Sequence, residues 1–106
     1  MSYRWPEKDP DETADFSVDW SRFLGSDSLV SAQWFIDDAS GTKTGPLSNN
    51  ATVNGLQFVA PTISGNVATV RFAGGTNNLR YKTTCRITTS QGLTYERSVT
   101  LPVRDR

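Results

Sequence analysis

At 106 residues the chain is long enough for one domain with its own core and too short for two. Serine and threonine supply 24 residues, a bias towards strands and turns over helices. The net charge is zero and there is no histidine, so nothing draws the chain to nucleic acid, and the usual general base and metal ligand of neutral pH are missing. Cys85 is the only cysteine, which excludes an internal disulfide. The first residues carry no apolar core segment, so no secretory signal is expected, and no run is long enough to span a bilayer as a helix.

Residues 1–13 read as an extended arm. Pro6 and Pro10 push the residues before them out of the helical region. Phe16, Val18 and Trp20 then alternate with Ser17 and Asp19, the period of a half-buried strand that Ser21–Phe23 would continue. Leu24–Ser28 is a turn. Leu29–Ile36 is a second strand, with Val30, Ala32, Trp34 and Ile36 on one face and Phe35 on the other. Asp37–Asn50 is a long loop, and Asp37 to Gly55 has no recognisable pattern. A strand near Thr52–Ala60 should end at Pro61, or Pro61 should mark it as an edge.

Val67–Ala73 forms the next strand after the Ser64-Gly65-Asn66 turn. Leu79–Thr89, the turn Ser90-Gln91-Gly92 and Leu93–Val103 make a long antiparallel hairpin. Leu79, Tyr81, Thr83, Cys85 and Ile87 share one face of it, with Leu93, Tyr95, Arg97, Val99, Leu101 and Val103 on the returning strand. About seven short strands without helical periodicity predict an all-β fold, an immunoglobulin-like antiparallel β-sandwich at 14–106 behind the arm. A small closed barrel is the alternative.

Candidate chemistry is thin. Cys85 lies mid-strand on the apolar face with no histidine to activate it, so it reads as an inert core thiol. One cysteine cannot hold zinc. Asp9, Asp11, Glu12 and Asp15 lack the glycine turn and terminal glutamate of a calcium loop. Gly74-Gly75 precedes no helix and is a turn rather than a phosphate cradle. Asn50-Ala51-Thr52 matches a glycosylation acceptor, which matters only on the eukaryotic secretory route. No catalytic, cofactor or metal site is expected.

Charge is unevenly placed. Residues 1–40 hold nine of the eleven acidic side chains, and residues 41–106 hold eight of the eleven basic ones. Either acidic strands pair with basic strands inside one sheet, or an acidic end meets the basic face of another copy or partner. Trp20 and Trp34 are core candidates. Tyr81 suggests a tyrosine corner. Tyr3 and Trp5 lie outside any strand, and Phe35 faces away from the apolar side of its own. Together with Asp9, Asp11 and Glu12 they are the candidate protein-interface residues, with Trp5 as an apolar anchor on a neighbouring subunit. Deleting residues 1–11 is then expected to spare the fold.

Two segments carry a resemblance. The first is Lys8-Asp9-Pro10-Asp11-Glu12 with Asp15-Phe16, Asp19-Trp20 and Val30-Ser31-Ala32-Gln33-Trp34. The second is Gly74-Gly75-Thr76, Tyr81, Arg86-Ile87-Thr88-Thr89, Gly92, Glu96-Arg97-Ser98 and Val103-Arg104. From about Trp5 to Arg104 the chain resembles small virion proteins of tailed bacteriophages, the fibre–tail adaptor or immunoglobulin-like minor structural proteins. That resemblance implies a non-enzymatic component of the particle. It would contact other virion proteins of tail, fibre or head–tail connector as a symmetric homo-oligomer, and be assembled in the bacterial cytoplasm. A different reading makes the domain a carbohydrate-binding module that uses the 37–50 loop and exposed aromatics.

Overall fold

The computed structural model describes residues 3–105. Met1 and Ser2 of the expected arm, and Arg106 of the expected sandwich, lie outside the described residues. Six long strands form the body: β2 (Thr13–Asp19), β3 (Leu29–Asp37), β6 (Leu56–Ser64), β7 (Val67–Gly74), β8 (Arg80–Thr89) and β9 (Thr94–Pro102). Three two-residue strands supplement them: β1 (Tyr3–Arg4), β4 (Lys43–Thr44) and β5 (Thr52–Val53). A five-stranded sheet runs β1-β9-β8-β3-β4, and a four-stranded sheet runs β2-β7-β6-β5. Neighbours are antiparallel except β1, which lies parallel to β9.

The alternating apolar residues of both sheets meet between them. Phe16, Val18, Phe58, Val70 and Phe72 come from one sheet, and Trp34, Ile36, Cys85, Ile87 and Leu101 from the other. Trp20 and Trp34 are core residues, as expected. The expected hairpin is present, with β8 and β9 in register from Arg80↔Pro102 to Thr88↔Thr94. The Tyr81 hydroxyl accepts from the Thr76 N–H (2.8 Å) and donates to the Asn54 carbonyl (2.7 Å), tying two loops to β8. The split of charge is partly resolved within the four-stranded sheet. Asp15 on β2 faces Arg71 on β7, with Nε 2.8 Å from Oδ1. That hydrogen bond holds the Asp15 carboxyl below the ordinary range.

Three expectations need correction. Ser21–Phe23 does not prolong the first strand, because Ser21–Leu24 forms a single helical turn, α1. The Asp19 carboxylate accepts the Ser21 N–H (2.9 Å), and Gly25 closes the turn at φ 59°. The strand expected near Thr52–Ala60 is two, β5 and β6 joined through Asn54 and Gly55, and β6 runs through Pro61 as an edge, one of the two outcomes expected there. A register shift between Val59 and Thr62, with Ala60 at φ 48°, absorbs the proline where β5 no longer flanks the strand.

The third correction concerns the arm. The segment from Tyr3 to Lys8 is bound to the chain's own sandwich. Trp5 N donates to Thr100 O and Lys8 N to Pro102 O, each at 2.9 Å, and Arg104 N donates back to Lys8 O at 2.9 Å. Trp5 is 8% exposed and lies 5.2 Å from the Phe16 ring and 6.0 Å from Phe72, ring centre to ring centre. Its indole N–H reaches the Ser17 carbonyl at 3.0 Å. Trp5 is therefore a core side chain of its own domain. The reason is energetic: a large ring that can close the open side of its own sandwich removes more apolar surface from water than one left extended.

Candidate functional site

Two surfaces flank the seated arm, and the residues that make them are best built in chain order. At the far end of the arm, Lys8 turns inward. It is almost wholly buried, and its ammonium donates to the Gly74 carbonyl (2.6 Å) and the Asp9 carbonyl (2.9 Å). Burial lowers its pKa, while Glu12, Asp9 and Asp11 pull the other way. Those carboxylates are held in one tight turn. Glu12 N donates to Asp9 O, Asp9 N to Glu12 Oε1, and Asp11 N to Asp9 Oδ1. The structure thus brings Asp9, Asp11 and Glu12 together around a buried cation, with Asp11 and Glu12 facing outward.

Nearer the start of the arm, Tyr3 is 39% exposed and stacks on Arg97, whose guanidinium carbon lies 4.5 Å from the Tyr3 ring centre. The same guanidinium lies 4.6 Å from the Trp20 ring and 6.0 Å from the Phe23 ring. Arg97 occupies an inward-facing position of β9, two residues before buried Val99, where the alternation calls for an apolar side chain. At the sheet edge it can lay its flat cation across aromatic faces and keep part of itself wet. Phe23, on α1, is 52% exposed and meets Tyr95 edge-on at 4.7 Å. Tyr3, Trp20, Phe23 and Arg97, together with Lys82 and Glu96, line a groove of about 430 Å³.

Sequence reasoning missed Arg97, Phe23, Lys82 and Lys8. A signal existed for Arg97, since it is the one cation in the inward series of the last strand. None existed for Lys8, which sits among acidic neighbours and reads as solvated.

Phe35 is covered by its own chain. It is 5% exposed and lies outside the core cluster, on the outer face of the five-stranded sheet. Arg86 and Lys43 cover it, at 4.6 and 5.7 Å from its ring centre. Both cations also bind Glu96, at 2.6 and 3.1 Å, and their hydrogen bonds hold that carboxyl below its ordinary range. Gly45 comes so close that a Cβ there would lie 2.7 Å from the Phe35 ring, so only glycine lets the loop close over it. Tyr3, Trp5 and Phe35 therefore end in three different settings: surface, core and covered outer face.

Four other exposed apolar side chains share a region. Phe23, Val30, Ile63 and Leu93 lie around the end formed by α1, the β6–β7 turn and the β8–β9 turn. Hydrogen bonds knit that end together: Trp20 N to Asn66 O, Leu29 N to Asn66 Oδ1, and Ser90 N to Ser28 O. Val30 turns outward because the β3–β8 register shifts between Leu29 and Ser31. Reactive groups are scarce by comparison. Among the described residues no three His, Cys, Asp or Glu side chains come together as a metal site needs. Burial pushes the Cys85 thiol up to about 12, outweighing the neighbouring Trp20 N–H and Arg97 charge.

These features define a small all-β sandwich whose most distinctive surface is an aromatic, cation-bearing groove beside an apolar end. The family model described as podophage GP4 fiber-tail adaptor protein gp77 matches residues 8–102, nearly the whole chain. The chain belongs to that family and is a structural component of a phage particle. No curated protein matches it.

Proposed function

We propose that the protein is a non-enzymatic link between tail and fibre proteins of a podophage particle, present in several symmetric copies and assembled in the host cytoplasm. The observation that carries this reading is the family match over residues 8–102. The sandwich has the properties such a link needs. Residues 5–8, residue 104 and several loops are hydrogen-bonded to the sheets, which favours a link of fixed shape. The sheet order, with β1 parallel to β9 beside β8, β3 and β4, suits an immunoglobulin-like topology.

Tyr3 with the apolar end serves as one contact region. The turn of Asp9, Asp11 and Glu12 serves as a second, facing a basic partner surface. The 37–50 loop supports this reading over a carbohydrate site. Asp38 accepts from Ser40 N and Thr42 N, and Leu47 N donates to Trp34 O, so the loop is fastened over Phe35.

The test is to disrupt the gene in the phage and image purified particles by electron cryo-microscopy. Heads and tails that assemble without fibres are expected. Particles that keep their full set of fibres would refute the adaptor role.

A further inference from the structure

The geometry points to the outer edge of β9, along the Arg97 groove, as the place where an extended, carboxylate-bearing segment of a virion partner adds to the five-stranded sheet. The inference rests on the adaptor reading and supplies the chemistry of one of its contacts.

The argument begins with strand parity. Residues of a strand alternate in the side to which their main-chain groups point. The Thr100 and Pro102 carbonyls accept from Trp5 N and Lys8 N, so even-numbered residues of β9 face the arm side. The Leu93 carbonyl, odd-numbered, accepts from Thr89 N on the β8 side, in agreement. Strand β1 is only two residues long and pairs with Val99 and Thr100. Towards the hairpin tip, Thr94 and Glu96 therefore present their N–H and C=O groups outward with no strand beside them among the described residues. Such a row is a template for another strand. The free edge of β6 differs: its register shift and Pro61 bend it and remove a donor.

The groove fits an added strand, because its walls come from both faces of the sheet edge. Tyr3, Phe23 and Arg97 lie on the inward side, and Lys82 and Glu96 on the outward side. At about 430 Å³ it falls within the range of built ligand clefts, about 300–1,000 Å³. Its charge specifies the occupant. Lys82 and Arg97 are cationic, while the one lining carboxylate, Glu96, is already bound by Arg86 and Lys43. A partner segment alternating an acidic side chain towards Lys82 or Arg97 with an apolar one against Phe23 satisfies both walls.

The experiment uses the full chain and the purified tail and fibre proteins of the phage that encodes it. Affinities are measured by calorimetry for the wild type, Thr94→Pro, Lys82→Glu and Phe23→Ser, with folding checked by circular dichroism. Thr94→Pro removes an outward N–H that the fold does not use, so the sandwich stays intact while strand addition is blocked. It should weaken binding at least about tenfold. Lys82→Glu should weaken it severalfold, and the wild-type affinity should fall with salt.

Wild-type binding that none of the three variants alters by more than about twofold, a change of about 0.4 kcal/mol, overturns the edge-docking inference and leaves the adaptor role standing. A wild-type chain that binds neither tail nor fibre protein overturns the adaptor role itself, and the docking inference with it. If the isolated chain self-associates and Thr94→Pro abolishes this, the occupant is a second copy and the assignment to another virion protein is wrong.

Discussion

Replacing Trp5 by alanine tests whether the first residues belong to the fold or to a partner. The ring is 8% exposed and is in contact range of Phe16, Phe72 and Trp34, with centre distances of 5.2, 6.0 and 6.3 Å. Truncating a buried aromatic side chain of this size costs about 3–5 kcal/mol in lost burial and residual cavity. The indole bond to the Ser17 carbonyl adds little, since Ser17 is exposed and water can replace it. A domain of this size holds about 5–15 kcal/mol in all, so the variant loses a large share of its stability. At about 4 °C or more per kcal/mol, the Tm should fall by about 12 °C or more.

Guanidinium denaturation followed by far-UV circular dichroism measures the change. Leu93→Ala, at a surface position, is the control and should stay within about 0.5 kcal/mol of wild type. A Trp5→Ala loss below about 1 kcal/mol would refute the seated arm and restore Trp5 as a residue presented to a neighbour.

Three further outcomes are expected. Tyr81→Phe leaves the Thr76 N–H and the Asn54 carbonyl without their shared partner and should cost about 1–3 kcal/mol in the same denaturation assay; no change would show that water replaces the hydroxyl. With its thiol pushed up to about 12 and buried, Cys85 should resist alkylation at pH 8 until the protein unfolds, and rapid labelling of the native form would contradict this. The pH dependence follows from Asp15, Asp19, Asp27, Asp38 and Glu96, whose carboxyls sit below their ordinary values of 3.8 and 4.5 in the folded state. The unfolded chain binds more protons there, so their stabilisation is complete above those values and is lost as pH falls through the lower folded ones. With no histidine, the denaturation midpoint should be level between about pH 5.5 and 7 and drop below about pH 4; a step near pH 6.5 would contradict it.

Much of the sandwich was legible because period-two patterning survives over long strands. Phe16 to Trp20, Tyr81 to Ile87 and Val99 to Val103 all point their apolar members inward as read. What escaped depends on contacts far apart in sequence or on elements too short to show a period. Pro6 and Pro10 declare an extended chain, but nothing local says that it runs along a strand some 90 residues later. A four-residue helix such as α1 has no periodicity to detect. The alternation turns Phe35 away from the apolar side of its strand, but the loop that hides it closes through Gly45 and two cations from separate strands. The groove is half visible: Trp20 and Arg97 stand in the strand pattern, but Tyr3, Phe23 on its helical turn and the short β1 that leaves the β9 edge open do not.

The parallel seat of β1 on β9 also orders events during synthesis. Until residues 99–104 have been made, the backbone of residues 3–8 has no strand to pair with, although the side-chain partners of Trp5 and Lys8 are already in place. The seat of residues 3–8 therefore waits for β9, and a ribosome-stalled fragment lacking β9 would display an apolar, unpaired flank.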